Sequence, residues 1–230
     1  MLNVMSKNLV KTVLIRTLPI TTGYIVLGMG FGILLQDAGY SPIWAFLMSL
    51  FIYSGTMEYV GVDLLSSGAS LVAAAIMALV VNCRYMFYGL SMIDKYKGTG
   101  WMKPILAFGL TDENYALLTS SEPPEGSEPK MYYFLISVVD HGAWILGSVL
   151  GVLVSEAFAF NTAGVDFVMT ALFTTVMVSQ WRETKNHIPA LLGAGLSVLW
   201  LLILGPEHFL IPAMISITAA LALVRRWVDA

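Results

Sequence analysis

Between Arg16 and Asp37 run twenty residues, Thr17 to Gln36, without a single charge. A helix needs about 20 apolar residues to cross a hydrocarbon core of about 30 Å, so this stretch is long enough to span a bilayer. It does not stand alone. Breaking the chain at charges and at Gly and Pro clusters gives eight apolar segments: Leu18–Gln36, Pro42–Leu65, Ala69–Ile93, Pro104–Ser120, Tyr132–Val154, Val165–Trp181, His187–Leu204 and Phe209–Val224. With hydrophobic residues at 57% and charged ones at 12%, against about 25% in soluble domains, there is too little charge to solvate them. No ten-residue alternating pattern of a membrane barrel is present, so the expected class is an all-α polytopic membrane protein. The same numbers exclude disorder, and the scattered bases with a net charge of −3 exclude a nucleic-acid interface. Cys83 is the one cysteine and cannot form an internal disulfide.

Residues 1–16 carry Lys7, Lys11 and Arg16 among apolar residues and read as a basic amphipathic lead-in at the cytoplasmic surface, followed by one transmembrane domain over 17–230. The acidic, Pro-rich linker at 121–130 divides that domain into halves of about 17–120 and 131–228. The halves look related. Gly23 to Leu35 aligns with Gly142 to Val154 at an offset of 119, matching three glycines in a G-x4-G-x3-G frame; the other reading is that small residues let helices pack closely. At an offset of 122, Leu50-Phe51 and Glu58-Tyr59 fall on Leu172-Phe173 and Gln180-Trp181.

Charge bias separates two topologies. Eight crossings place eight bases inside and three outside; if segments 2 and 6 are broken or re-entrant, ten fall inside and only Lys130 outside. The second pattern leaves three crossings per half and predicts two inverted repeats. Ser54-Gly55-Thr56 then marks the tip of segment 2, although full crossing stays open.

Polar groups at bilayer depth cost about 2.5–3.5 kcal/mol each on insertion scales, so they direct the search for a site. Glu58 either meets a substrate ammonium or a coupling proton beside Ser54 and Thr56, or sits at the interface. Asp112 and Glu113, with Thr111 and Asn114, fall near the middle of segment 4 and form a polar arc suited to binding and proton loading; the other reading is a short helix reaching the headgroups. Asp140-His141 can relay protons or tie helices together. Arg84, near Asn82, can clamp a carboxylate, counter the acids, or reach back to lipid phosphates. Asn82, Tyr85 and Gly89 share a face. Asp166, near the start of segment 6, can be interfacial, a helix cap or a second acid. No metal-ligand, phosphate-loop or dinucleotide motif is present, so no cofactor is expected. Ser54 lacks a Gly-x-Ser-x-Gly frame, so an enzyme is not expected either.

At these residues the chain resembles the AzlC family, the large subunit of two-component branched-chain amino-acid exporters. The resemblance runs from Pro19 through Gly28-x-Gly30-Phe31-Gly32, Ser54-Gly55-Thr56-Met57-Glu58, Val81-Asn82-x-Arg84-Tyr85 and Gly109-Leu110-Thr111-Asp112-Glu113 to Asp166-Phe167 and Ala171-Leu172-Phe173. Its more specific parts are Gly-Leu-Thr-Asp-Glu and Asn-x-Arg. The chain departs from the family in carrying Glu58 where members often have glutamine. The resemblance implies export of valine, leucine, isoleucine and similar amino acids across a bacterial inner membrane, with a small AzlD-like membrane subunit as partner. Together with the midplane acids it leads to an expectation of proton-coupled secondary export. In this reading Ser54, Thr56, Glu58, Asn82, Arg84, Thr111, Asp112, Glu113 and Asn114 bind the substrate, and Asp112, Glu113, Asp140 and His141 carry protons. Two other classes stay open: a structural or regulatory subunit without transport of its own, and an intramembrane hydrolase, which requires Ser54 beside His141.

Overall fold

The computed structural model describes residues 2–158 and 186–205 continuously, with scattered positions between 167 and 182 and between 209 and 223; of residues 2–7 it describes the backbone alone. Every regular element among the described residues is helical. The chain forms two compact units, Met1–Val168 and Met169–Ala230. In the second, α8 (Ile188–Leu204) is an apolar helix of 17 residues, and Trp200 Nε1 donates to Ser216 Oγ at 2.9 Å.

The first unit is built on α1 (Leu2–Asp37), α2 (Pro42–Phe51), α3 (Gly55–Ser66), α4 (Leu71–Ser91), α5 (Lys103–Phe108), α6 (Asp112–Ser120) and α7 (Pro129–Ala157). Three of these are long and apolar enough to cross a membrane: α1 over Asn8–Asp37, α4 and α7. The basic lead-in is continuous with the first apolar segment. It forms the first turns of α1, whose Leu9 and Val13 are buried in a core with Tyr132, Tyr133 and Ile136 of α7.

Helices α1 and α7 run parallel for their whole length. Near one end Arg16 donates to the Tyr132 hydroxyl at 2.7 Å, and near the other Ser155 donates to Gln36 Oε1 at 2.9 Å. Between them the glycines of the 119-residue offset make the crossing, and they do so reciprocally. A Cβ added at Gly28 would meet the Trp144 carbonyl oxygen at 2.9 Å, and one at Gly147 the Ile25 carbonyl at 2.5 Å. Gly32 would meet the Ser148 carbonyl at 2.1 Å and Gly151 the Met29 carbonyl at 2.2 Å. Ile25 and Trp144, and Met29 and Ser148, are themselves partners under the same offset, so each contact is repeated by its equivalent, as across a two-fold axis. An inverted pair requires these matching helices to be antiparallel, and they are not. The linker at 121–130 likewise does not separate two bodies, because α7 beyond it is packed along α1.

The count of crossings differs because segments 2 and 4 both turn back. A straight helix would separate residues 48 and 61 by about 20 Å. Instead, the Met48 methyl lies 3.3 Å from where a Gly61 Cβ would stand, and Ser49 donates to Glu58 at 2.9 Å, so α2 and α3 form an angled hairpin. Its tip is Ile52-Tyr53-Ser54, with Tyr53 at φ 43°, a conformation a bulky residue rarely adopts and one that stores about 1–3 kcal/mol. The break in segment 4 was not anticipated. Helix α5 stops at Gly109, and Thr111 caps α6 by accepting from the Asn114 amide at 3.3 Å. Met102 and Leu106 of the first arm share one buried core with Leu118 of the second, together with Met92 and Tyr96 at the end of α4. Both arms therefore return to the end of the unit where α1 and α7 begin.

The first hairpin enters from the opposite end. It follows the end of α1 and leads into the start of α4, so the two tips face each other. Tyr53 lies 5.9 Å from Phe108 between ring centroids, and the Tyr24 hydroxyl contacts Thr111 at 2.6 Å. Tyr24 is about 18 Å along α1 from Gln36, near half the depth of the unit. The loop holding Lys130 lies at the end where α1 begins, pinned by Arg16 to the Glu122 carbonyl at 2.6 Å and by Lys95 to the Glu122 carboxylate at 3.6 Å. It is not at the opposite end, where a crossing of segment 4 would have put it. Most of segment 6, with Asp166 and the residues matched to segment 2, and most of segment 8 lie outside the described residues.

Candidate functional site

The tips of the two hairpins and the inner face of α4 gather most of the polar residues that the sequence singles out. Ser54, the N-cap position of α3, donates to Asn82 Oδ1 at 2.7 Å and lies 3.3 Å from the Tyr85 hydroxyl. Arg84 donates from Nη1 to Asp112 at 2.8 Å and from Nη2 to Thr56 Oγ1 at 3.3 Å. Tyr88, one turn further along α4, donates to the other Asp112 oxygen at 2.7 Å. Arg84 thus points inward to an acid, and the reach-back to phosphates is excluded. The arginine and aspartate side chains are 31% and 35% exposed, so the pair is neither sealed in the core nor fully hydrated.

The polar arc of segment 4 is resolved by the break at Gly109. Asp112 and Glu113 are not mid-helix neighbours; they occupy the first turn of α6, where the helix dipole favours acids. They also serve different partners. Glu113 accepts from the Tyr24 hydroxyl at 2.7 Å while Asp112 faces α4. Asn114 donates from Nδ2 to the Gly109 carbonyl at 2.7 Å, closing the tip on itself.

Glu58 belongs elsewhere. It is fully buried on the side of α3 away from Arg84, accepting from Ser49 Oγ at 2.9 Å and from Trp144 Nε1 at 2.8 Å. An interfacial position does not fit this placement; Glu58 stays beside Ser54 through the backbone, its amide donating to the Ser54 carbonyl at 2.8 Å, and its carboxylate fastens both arms of the first hairpin to α7. His141 also binds that hairpin, with Nε2 3.0 Å from the Ser49 carbonyl and its ring 4.1 Å from that of Tyr53. Ser54 and His141 do not pair: Ser54 is bound to Asn82, and the His141 Nε2 faces the Ser49 carbonyl. Asp140 is fully buried and neither of its oxygens has a hydrogen-bond partner.

Sequence reasoning missed the tyrosines. Tyr24, Tyr53 and Tyr88 supply hydroxyls at the meeting point, and none of them is among the candidate site residues named from the sequence. For Tyr88 a signal was present, since it stands four residues after Arg84 and so shares its face. For the break at Gly109, the signal was Thr111 followed directly by two acids, the usual start of a helix.

A bundle whose broken helices bring paired charges to half depth is the architecture of a helical membrane protein with an interior polar site. The AzlC protein family model matches residues 19–158. An "Uncharacterized membrane protein" of Helicobacter pylori (strain ATCC 700392 / 26695) is 44% identical over 93% of this chain and 94% of its own length. The "Branched-chain amino acid transport protein AzlC" of Bacillus subtilis (strain 168) is 38% identical over 91% of this chain and 83% of its own, and "Inner membrane protein YgaZ" of Escherichia coli (strain K12) 27% over 74% and 72%. No solved structure matches. This chain belongs to the AzlC family.

Proposed function

We propose that this chain is the substrate-carrying subunit of a secondary exporter of branched-chain and similar apolar amino acids, coupled to proton exchange and assembled with a small AzlD-like membrane subunit. The observation that carries this reading is the Arg84–Asp112 pair, held at half depth between a hairpin tip and a spanning helix. An amino acid is a zwitterion. Its carboxylate complements Arg84 and its ammonium complements Asp112, with Ser54, Thr56 and Asn82 beside them as hydrogen-bonding groups. Two oppositely charged groups already paired hold each other in place until a ligand of the same charge pattern takes over both contacts.

Asp112 and Glu113 are the proposed proton carriers, each reached by a tyrosine hydroxyl that orients it. A proton and a substrate ammonium compete for the same carboxylate, which is the elementary step of exchange. Glu58 and His141 take no direct part in this scheme; they hold the first hairpin against α7.

The two turned-back helix pairs are taken as re-entrant hairpins from opposite membrane faces, with α1, α4 and α7 as crossings. Lys11, Arg16, Lys95, Lys97, Lys103 and Lys130 then fall at the end where α1 begins, while the loops at 38–41 and 67–70 hold no base. That asymmetry supports a cytoplasmic N-terminus in a bacterial inner membrane. The reciprocal glycine contacts support a duplication in which α1 and α7 are equivalent and run parallel.

The name of the Bacillus subtilis relative supports branched-chain amino acids as substrates. The test is uptake of radiolabelled leucine and valine into inverted vesicles, with and without the small subunit, under an imposed pH gradient. Gradient-driven uptake that needs both subunits is expected. Absence of uptake from vesicles that contain both, correctly inserted, would overturn the reading.

A further inference from the structure

The two hairpin tips enclose a second group of polar atoms that the proposed amino-acid site does not use. Asp140 on α7 is fully buried, and both carboxylate oxygens lack a hydrogen-bond partner. Asn114 is fully buried as well. Its Nδ2 is fixed on the Gly109 carbonyl, which leaves Oδ1, an acceptor, without a partner. The hydroxyl of Tyr53, 2% exposed, lies beside the Asn114 amide and the Tyr24 hydroxyl without forming a well-aligned hydrogen bond to either. Tyr53 and Asp140 are electrostatic neighbours, and Glu113 is close to both.

Four oxygens in three buried side chains are therefore left over where α7 meets both tips. Leaving such groups unsatisfied costs about 1–3 kcal/mol each, more for a charged one, so their grouping at one place calls for a ligand. The orphan atoms are hard oxygen donors, carboxylate, amide and phenol. Among the described residues no three His, Cys, Asp or Glu side chains cluster as a transition metal would require. Among the described residues no Lys or Arg side chain pairs with Asp140: Arg84 is engaged by Asp112, and His141, whose ring lies against that of Tyr53, turns its Nε2 to the Ser49 carbonyl. Tyr53 is held at the tip of the first hairpin with φ 43°, a strained conformation of the kind that clusters at functional sites.

From this geometry we infer that Asp140, Asn114 and Tyr53 form a binding site for a small monovalent cation, Na+, bridging α7 to the two hairpin tips. The inference concerns binding and does not depend on which solute the Arg84–Asp112 pair takes.

Thermal unfolding of the purified protein in detergent tests it, with NaCl varied and choline chloride making up the ionic strength. A ligand of the native state raises the unfolding midpoint with its concentration. A rise is expected with Na+ and not with choline, saturating at a defined Kd. Asp140→Asn should weaken that Kd at least about tenfold, the equivalent of one charge-assisted contact. Tyr53→Phe, which keeps the ring, should weaken it severalfold and serves where Asp140→Asn does not fold. No Na+-specific rise in the wild type, with the midpoint following pH alone, would assign Asp140 a proton and overturn the inference. So would an unchanged Na+ response in the folded variants. A protein that binds Na+ without moving leucine leaves the cation site standing and removes the exporter reading; the reverse result does the opposite.

Discussion

The guanidinium of Arg84 meets the carboxylate of Asp112 at 2.8 Å, joining a spanning helix to the first turn of a half-helix that enters from the other side of the unit. The same guanidinium reaches Thr56, just past the tip of the opposing hairpin, at 3.3 Å. One side chain thus reads the position of both tips.

Arg84→Lys should therefore fail although it keeps the charge. A lysine ammonium is a point donor without the planar fork that serves Asp112 and Thr56 together. We expect leucine flux to fall by about tenfold or more in Arg84→Lys, the equivalent of a lost charge-assisted hydrogen bond, and to vanish in Asp112→Asn. Both variants should insert and elute as a single species. Full proton-coupled flux in Asp112→Asn would remove the assignment.

The α1–α7 seam makes a steric prediction. Gly32→Ala and Gly151→Ala each drive a methyl to within 2.1 and 2.2 Å of a backbone carbonyl, where no side chain can move aside. Each should cost more than the roughly 1–3 kcal/mol typical of overpacking and lower both yield and unfolding midpoint. Gly23→Ala and Gly142→Ala, with open space around them, should behave as wild type. Equal midpoints for the two pairs would contradict the seam.

Glu58 separates packing from transport. In Glu58→Ala the Trp144 indole N–H is left buried without an acceptor and a cavity opens, for a loss of about 2–4 kcal/mol. Glu58→Gln should lose about 1 kcal/mol or less, since its amide oxygen still accepts from Trp144 and Ser49 can turn its hydroxyl to accept from the new NH2. The glutamine that the AzlC resemblance leads one to expect at this position suits the same pocket. Unfolding midpoints in detergent decide the matter, and an alanine variant as stable as the parent would exclude the tie.

Sidedness can be read by thiol labelling of intact cells in a Cys83→Ser background. Lys97→Cys and Glu125→Cys should react from the same membrane face and Ser67→Cys from the other. Labelling of positions 97 and 125 from opposite faces would mean that α5 and α6 together cross the membrane, against the turned-back arrangement.

The class of fold and much of the site were legible because depth and charge are one-dimensional properties. Counting uncharged residues found α1, α4 and α7, and asking which polar groups stood inside apolar runs found Arg84 and Asp112. Direction was not legible. Whether a segment crosses or turns back depends on a break of three residues, and Gly109-Leu110-Thr111 is too short to disturb an apolar run of seventeen residues. Missing that break put Lys130 at the end of the unit opposite the one where α1 begins. Glu58 shows a second limit: its depth follows from the sequence, but which side of a short helix faces Trp144 depends on how sharply α2 and α3 bend.

The meeting of the two tips near Tyr24 has one more consequence. In the proposed transport reading, a solute resting there would be about 15 Å from either water phase, half a hydrocarbon core, with a different hairpin on each side. Opening toward one phase requires displacement of a single hairpin while the other stays seated on α7. In that reading, two short barriers in series would let a molecule through a chain this small without its ever being open at both ends.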